Sequence, residues 1–439
     1  SSTGSHCEHC SFGRTSGGVS GQTEGARVMG IKFNRVVAAV GVGVLASTLC
    51  VSASSADQSA SMGSISSISP MTPQVLRIKT SSDGTKVTAL WISSPDNGGL
   101  LQSASAQNVL GLRKWSDPVS VAPGDASQGG GQVFARPKVP VAIGADSPAL
   151  GLSSDGTKAI AVWVYPSENN VRTIAAAVAT ISGNTATWGT PVDVSSPAEG
   201  AGDANAPDVA ISADGTKATV VWAHTDPDTS VNRIEAKSAT ISGTTPTFGV
   251  LKTLSDASPV DAPRNDTNPV LALNDAGTRA VVLWSANQDP TETVTGGAWI
   301  HVKTGTISGN GSTWGAKVES VGFGSLTPEV AVSSDGTKAT WVWNNITSDG
   351  ETQNPPVVLA RSATISGNTL SAGTVKTVSD PDLGADSPTL GMSTDGTKAT
   401  VIWMGRNMGA WLLQSRSMTI SGNTQTLSLI HISEPTRRY

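Results

Sequence analysis

A short pattern recurs six times along this chain and constrains its fold more than any other feature. In five copies a serine and one further residue precede Asp-Gly-Thr-Lys, and a tryptophan follows eight residues after the aspartate, as in Asp214–Lys217 and Trp222. In the fourth copy Asn274 and Ala276 replace the serine and the aspartate. Successive copies lie about 60 residues apart, and a steady period of this size is the mark of a repeat architecture.

Each copy contains four runs of residues that are typical of β-strands. In the third copy these runs are 209–211, 218–222, 233–241 and 247–254. Glycine accepts a positive φ at no steric cost, so Asp-Gly is expected to close the first two runs as a tight hairpin, and Ser242-Gly243 the last two. In five copies a proline opens the first run, where it removes no ladder hydrogen bond.

Four strands repeated at this period are what the blades of a β-propeller require. Glycine, serine, threonine, alanine and valine dominate the chain, and no long stretch repeats apolar residues at helical spacing. We therefore predict an all-β chain that forms a β-propeller of six four-stranded blades, or of seven or eight if the gene continues. An open β-solenoid is the alternative, because packing between neighbours alone also produces such repeats.

The recurring tryptophan is expected to be structural. The second run is apolar on both faces, as in residues 218–222, which fits a sheet packed between two neighbouring sheets. Burying one tryptophan hides ~150–250 Å², which at ~25 cal/mol per Å² is about 4–6 kcal/mol as an upper bound. A second set of aromatic residues begins the fourth run and is expected to pack in the same way: Trp115, Trp188, Phe248 and Trp314.

The Ser-x-Asp-Gly pattern resembles the repeat of TolB-type β-propellers. It is intact in five copies and departs from that repeat in the fourth, at Asn274 and Ala276. The resemblance implies the propeller fold, and with it a role as a binding platform for other proteins of the bacterial envelope. It implies no catalytic activity, because the pattern mainly reports a hairpin.

The beginning of the chain differs from the repeats. No methionine precedes Met29, so residues 1–28 are interpreted as translation upstream of the true start. Residues 29–56 are typical of a signal peptide, with Lys32 and Arg35 ahead of an apolar run. That run has about fifteen residues, fewer than the ~20 that a membrane-spanning helix needs. We predict a secreted, cell-surface or periplasmic protein, with no membrane insertion after the signal is cleaved.

The end of the chain also differs. Residues 427–437 resemble the translation of a sequencing-transposon adapter, so residues 427–439 are interpreted as an artefact and 57–426 as the repeat domain. The natural C-terminus is then missing, and the last copy is expected to lose its fourth strand. Residues 61–69 resemble a fourth strand without a blade of its own. They could complete the last blade and close the ring at six.

Charge and composition exclude several classes of partner. Residues 57–426 carry 23 basic and 31 acidic residues, a net charge near −8, which disfavours nucleic acid and anionic membranes. This segment contains no cysteine, and His224 and His301 are its only histidines. We therefore predict no disulfide, no metal site and no cofactor. The oligomeric state is left open.

Candidate ligand-binding residues follow from the position of the turns. Both kinds of tight turn would lie on one face of a propeller, and the variable connections would emerge on the other, where binding sites usually occur. Asp146, Asn205 and Asp386 each lie two residues before the proline of the first strand, so they would ring the channel mouth on the variable face. The alternative is that they cap a turn before the proline.

These features favour an exported binding platform for a glycan or for an extracellular or envelope protein. One alternative is a glycoside hydrolase or other carbohydrate-active enzyme. A hydrolase would need two carboxylates about 5–9.5 Å apart in the channel. The second alternative is a structural repeat protein of the cell surface. No catalytic residue is assigned, and Tyr165 is interpreted as a loop residue rather than a nucleophile.

Overall fold

The computed structural model describes most residues between 74 and 432. The described ranges are 74–93, 100–109, 112–122, 146–167, 169, 171–196, 198, 201–255, 265–287, 298–320, 326–346, 355–407, 410–429 and 431–432. The predicted upstream segment 1–28, the signal peptide 29–56 and the strand-like run 61–69 lie outside them. Among the described residues, regular structure consists of strands, and no helix is long and apolar enough to span a membrane.

The strands form six antiparallel sheets of five strands each, here called blades one to six. The strands of blades one to three are β1 (Gln74–Thr80), β2 (Lys86–Ser93), β3 (Leu100–Val109), β4 (Leu112–Trp115), β5 (Val119–Ser120); β6 (Asp146–Leu152), β7 (Lys158–Pro166), β8 (Arg172–Ser182), β9 (Thr185–Trp188), β10 (Val192–Asp193); β11 (Ala204–Ile211), β12 (Lys217–Thr225), β13 (Asn232–Ser242), β14 (Thr245–Phe248), β15 (Lys252–Thr253).

Blades four to six repeat the same plan. Their strands are β16 (Asp266–Leu273), β17 (Arg279–Asn287), β18 (Ala298–Ser308), β19 (Gly311–Trp314), β20 (Val318–Ser320); β21 (Leu326–Val332), β22 (Lys338–Asn345), β23 (Val357–Ser366), β24 (Thr369–Ala372), β25 (Lys376–Thr377); β26 (Ala385–Met392), β27 (Lys398–Asn407), β28 (Ala410–Ser421), β29 (Thr424–Leu427), β30 (His431–Ile432).

Each blade has four strand positions, and the outermost position is divided into two short strands. In blade three, β14 and β15 both pair with β13. The first strands of adjacent blades contact one another and line a channel. The predicted propeller with six blades is confirmed. The single fourth strand predicted over 247–254 is corrected to two pieces, because residues 249–251 between β14 and β15 are not in a strand.

Hydrogen bonds within the Asp-Gly turn explain its constant sequence. The Ser212 hydroxyl donates to Asp214 at 2.6 Å, and the Thr216 amide donates to the same carboxylate at 2.9 Å. The glycine that follows the aspartate has a φ of 70°. In the degenerate fourth copy, Asn274 Oδ1 accepts the amides of both Thr278 and Arg279, each at 2.8 Å. The Asn274 side chain thus accepts the two backbone hydrogen bonds that the aspartate and the serine accept in the other copies.

The charge of the turn aspartate should make stability depend on pH. The Ser393 hydroxyl and then the Thr397 amide and hydroxyl lower the pKa of Asp395 from 3.8 to about 2. Because this pKa is lower in the folded state, the carboxylate stabilises the fold above about pH 4, and its contribution is lost as the pH falls towards about 2. We expect Asp395→Asn to lower the free energy of unfolding by about 1 kcal/mol at pH 7, and by much less near pH 2.

Urea unfolding at the two pH values measures this difference. The exposed Asp117 lies outside the turns, and Asp117→Asn serves as the matched control. An effect of Asp395→Asn that is equal at both pH values would contradict the ionic role of the turn.

Backbone hydrogen bonds join the turns of successive blades on one face of the propeller. Each bond runs from the residue before the turn aspartate, or its counterpart in blade four, to the same position in the next blade. The five bonds are Ser82 N to Ser154 O, Ser154 N to Ala213 O, Ala213 N to Asp275 O, Asp275 N to Ser334 O, and Ser334 N to Thr394 O, at 2.8–3.3 Å. This face, called the turn face below, is therefore occupied by structural contacts.

The core lies between the blades, and the repeated tryptophans fill it. The six tryptophans that end the second strands are each at most 1% exposed: Trp91, Trp163, Trp222, Trp284, Trp343 and Trp403. Trp222 packs with Ile160 and Val162 of blade two, and Trp284 packs with Val221 and Ala223 of blade three. The predicted structural role of these residues is confirmed. The second set of aromatics, including Trp188 and Phe248, is partly buried against the same clusters.

The sixth blade retains its outermost strand position. Strand β29 pairs with β28 after the turn at Gly422, and β30 pairs with β28 within the adapter-like segment. The expectation that the last copy loses its fourth strand is wrong in this respect. Residues 424–426 precede that segment, and ladder hydrogen bonds form between backbone groups whatever the side chains.

Candidate functional site

The channel mouth opposite the turn face is shaped by a bulge that recurs in all six blades. One residue near the start of each first strand has a φ between 46° and 58° although it is not glycine: Val75, Ser147, Ala206, Asn268, Thr327 and Ser387. The strand register shifts at the same point, as between Asp146 and Ala149. Such bulges bend the strand and redirect its side chains, and strained backbone of this kind clusters at functional sites.

Two of the predicted site residues cap these bulges. Asp146 Oδ1 accepts the Ser147 amide at 2.6 Å, and Asp386 Oδ1 accepts the Ser387 amide at 2.6 Å. Both aspartates therefore cap a turn before the proline, which was the alternative expected from sequence. Capping uses one carboxylate oxygen and leaves the second available to other groups.

Arg172, at the start of β8, brings two of the predicted residues together. Its Nη2 lies 2.8 Å from Asp146 Oδ2, and its Nε donates to Asn205 Oδ1 at 2.7 Å. The Arg172 backbone amide donates to Asp203 at 2.9 Å. The side chains of Arg172 and Asp146 are 41% and 53% exposed. These residues form a polar cluster that spans blades two and three, called the mouth cluster below.

The third predicted residue belongs to a different pair. Asp386, in blade six, accepts a hydrogen bond from Asn344 Nδ2 of blade five at 3.0 Å. Asn344 is 2% exposed and Asp386 is half-buried, so this contact connects two blades at a partly buried position. Asp386 is thus at the equivalent place in its blade, away from the mouth cluster.

The charge state of Asp146 is fixed by its neighbours. Partial burial by itself would raise the pKa of Asp146, but the hydrogen bonds from Arg172 and Ser147, with the charge of Arg172, outweigh it and lower that pKa. Asp146 is therefore ionised at neutral pH. The mouth cluster presents a carboxylate, a guanidinium and an amide, which together donate and accept hydrogen bonds.

A cavity of about 310 Å³ lies in the channel and is lined by the first strands of all six blades. Asp208 and Glu329, which follow the strand prolines of blades three and five, both line it and are 7% and 9% exposed. Asp208 Oδ2 accepts the Leu271 amide at 2.9 Å. The cavity extends towards the turn face, where Ser154 and Thr394 line it.

Tyr165 lies in strand β7, so its interpretation as a loop residue is wrong. It is 1% exposed, and its hydroxyl donates to Asp193 at 2.6 Å. Burial first, and then the hydrogen bond to Asp193, raise the pKa of Tyr165 far above its ordinary value. This tyrosine is therefore neutral and structural.

Arg172, Asp208 and Glu329 were not among the residues predicted from sequence. Asp208 and Glu329 could have been found from the sequence. Each directly follows a strand proline, at a position where other copies have the apolar residues Ala149 and Val270. Arg172 gave no such signal, because its partner Asn205 belongs to another blade. In the part of the chain that the structure describes, no group of three or more histidine, cysteine, aspartate or glutamate residues is arranged to hold a metal ion.

Comparisons with known proteins concern the fold alone. No protein-family model matches the chain, and no curated protein matches it. It is similar to the β-propeller domain of the trilobed protease from Pyrococcus furiosus, with 9% identity, a TM-score of 0.36, and coverage of 78% of this chain and 89% of that chain.

Two further solved structures show the same level of similarity. A TolB from Agrobacterium tumefaciens has 16% identity and a TM-score of 0.32, with coverage of 70% of this chain and 83% of that chain. A levansucrase from Bacillus subtilis has 11% identity and a TM-score of 0.36, with coverage of 67% and 88%. The sheet order and the bonds between blades, within the described residues, identify this chain as a six-bladed β-propeller.

Proposed function

We propose that this chain is an exported β-propeller that binds a glycan, or an extracellular or envelope protein, at the channel mouth opposite the turn face. The mouth cluster carries this proposal. Arg172 holds Asp146 and Asn205 within hydrogen-bonding distance while its side chain stays 41% exposed. Exposed donors and acceptors held in fixed positions suit the hydroxyl groups of a sugar or the backbone of a peptide.

The contrast between the two faces supports this location. On the turn face, the aspartates accept hydrogen bonds from their own serine and threonine, and several lysines donate to the next blade, as Lys338 does to the Asp395 carbonyl at 3.0 Å. These hydrogen bonds stabilise the turns and join neighbouring blades. The mouth cluster instead bonds across two blades through Arg172, whose side chain is 41% exposed, and it lies on a rigid scaffold of strands.

Two sequence features support the cellular setting. The signal-like segment 29–56 supports export, and the resemblance of the repeat to TolB-type repeats supports a partner in the bacterial envelope. The net charge near −8 of residues 57–426 disfavours nucleic acid as that partner.

A printed glycan array tests the glycan arm of the proposal. We expect Arg172→Ala to weaken binding to the strongest glycan at least tenfold, because a hydrogen bond to a charged group contributes about 1.5–3 kcal/mol. Lys398→Ala, at an exposed lysine of the turn face, is the matched control and should stay within about twofold of the unmodified chain. Equal binding by both variants would contradict the mouth cluster as the site.

Glycoside hydrolysis is a second candidate, favoured by the two carboxylates of the channel. Asp208 and Glu329 both line the cavity and are nearly buried, on blades three and five. A hydrolase needs one such group as an acid and the other as a base or nucleophile. If this candidate holds, a panel of nitrophenyl glycosides should be hydrolysed, and Asp208→Asn or Glu329→Gln should reduce the rate at least a hundredfold. Absence of hydrolysis across the panel would exclude it for those sugars.

A further inference from the structure

A second arginine–aspartate pair lies beside the mouth cluster. Arg233, the second residue of β13, has its Nη2 2.9 Å from Asp226 Oδ2, and the two side chains are 37% and 20% exposed. Asp226 directly follows β12, which runs from Lys217 at the Asp-Gly turn to Thr225 at the other end of the blade. The pair is therefore on the face of the propeller opposite the turn face, as the mouth cluster is.

The two arginine–aspartate pairs are built in the same way. In each, Oδ1 of the aspartate accepts backbone amides, and Oδ2 holds the arginine. Asp146 Oδ1 accepts the Ser147 amide at 2.6 Å, and Asp226 Oδ1 accepts the amides of Asp228 and Thr229 at 3.0 and 3.1 Å. The backbone thus fixes each carboxylate, and each carboxylate fixes the guanidinium beside it.

Both arginines belong to the junction between blades two and three. Arg233 pairs with His224, two residues after Trp222, which packs on blade two. Paired residues, and residues two apart on one strand, share a face, so Arg233 lies on the face towards blade two. Arg172 belongs to blade two and reaches Asn205 of blade three. The two pairs therefore border the same junction from opposite sides.

Asp203 links the two pairs. Its Oδ1 accepts the Arg172 amide at 2.9 Å, and its carbonyl oxygen accepts the amide of Thr225, the residue before Asp226, at 2.7 Å. A Cβ at Gly202 would lie 2.1 Å from the Thr225 carbonyl oxygen, so this segment is packed closely against the end of β12. The positions of the two pairs are thus fixed relative to each other.

Each guanidinium keeps donors that the protein does not use. A guanidinium has five N–H groups. Arg172 donates through Nε and Nη2, and Arg233 through Nη2. Within the described residues, Nη1 of either arginine makes no hydrogen bond. A hydroxyl group both donates and accepts, so a guanidinium held beside a carboxylate suits the hydroxyls on neighbouring carbons of a sugar.

The charge of the junction favours a neutral ligand. Within each arginine–aspartate pair the two charges cancel. Asp203 and the buried Glu235 add carboxylates nearby, and His224 Nδ1 lies 3.7 Å from Glu235 Oε2. The junction therefore has no excess of positive charge with which to attract a uronate or a sulfated sugar.

We propose that Arg172–Asp146 and Arg233–Asp226 are two adjacent subsites for one neutral glycan of at least two sugar units. The inference rests on the proposed function and narrows its glycan arm. Each pair binds the hydroxyls of one sugar unit, and the partial exposure of both arginines leaves them within reach of a ligand at the mouth. Arg233 is then a residue that selects for the length of the glycan.

A printed array of neutral, uronate-bearing and sulfated glycans of one to six units tests this arrangement. We expect neutral glycans of two or more units to bind at least tenfold better than the matching monosaccharides and the matching acidic glycans. Arg233→Lys should remove this advantage of length, because an ammonium lacks the planar fork of a guanidinium. Arg233→Gln should show the same loss, and Lys252→Ala, on the outer edge of blade three, should show none.

The possible results separate this inference from the proposed function. Thermal unfolding should give Arg233→Lys the midpoint of the unmodified chain, which distinguishes a lost contact from a lost fold. Binding that depends on Arg172 but keeps its advantage of length in both Arg233 variants would overturn the second subsite and leave the proposed function standing. Preferred binding of uronate-bearing or sulfated glycans would overturn the neutral class. Absence of binding to any glycan would overturn the inference together with the glycan arm of the proposed function.

Discussion

Replacing Trp222 by alanine is expected to lower the free energy of unfolding by about 3–5 kcal/mol. Trp222 is 0% exposed and fills the interface between blades two and three, where it packs with Ile160, Val162 and Val220. The change removes a large apolar surface and leaves a cavity between two sheets that cannot collapse fully. Urea unfolding followed by circular dichroism measures the loss.

Val250→Ala is the control, because Val250 is 72% exposed and its truncation should change stability by no more than about 0.5 kcal/mol. A loss for Trp222→Ala no larger than that of the control would show that the tryptophans do not hold the blades together.

Gly315→Ala is expected to destabilise the protein by about 1–3 kcal/mol or more. A Cβ at position 315 would lie 1.8 Å from the carbonyl oxygen of Asn368, in the Ser-Gly turn of the next blade. Because the obstacle is backbone rather than a flexible side chain, blades four and five would have to move apart. Gly249 and Gly373 face Asn310 and Asn423 in the same way, each at 2.0 Å.

Thermal unfolding of Gly315→Ala is best compared with Gly311→Ala four residues earlier. A Cβ at Gly311 would meet its nearest neighbour, the Ser308 carbonyl oxygen, at 3.4 Å, an ordinary contact. The control should therefore keep a midpoint close to that of the unmodified chain. Equal midpoints for the two variants would contradict a tight approach between blades at this glycine.

The parts of the fold that sequence predicts are local. The Asp-Gly hairpin depends on residues within five positions of one another, as the bonds from Ser212 and Thr216 to Asp214 show. The tryptophan repeats at a fixed distance from that turn, so its burial follows once the strand is recognised. Turn chemistry and apolar patterning act within one blade, so they can be recognised in the sequence without knowing which blades pack together.

Contacts between blades are the features that sequence does not reveal. Arg172 bonds to Asn205 in the next blade, and Gly315 is required by the approach of a turn more than fifty residues away. Asp146 and Asn205 lie near the starts of β6 and β11, as their spacing from the strand proline suggests, and their role in binding stays a prediction. Their grouping around Arg172, and the separation of Asp386 from them, depend on the packing of whole sheets.

Hydrogen exchange with the glycan that binds the array most strongly tests most directly whether recognition lies at the mouth cluster. Peptides containing residues 146–148, 172–174 and 203–207 should be protected by the glycan. Peptides containing residues 82–86, 154–158 and 213–217, on the turn face, should exchange at an unchanged rate. Protection confined to the turn-face peptides would contradict a site at the opposite mouth and would place binding on the face that the repeat sequence keeps constant.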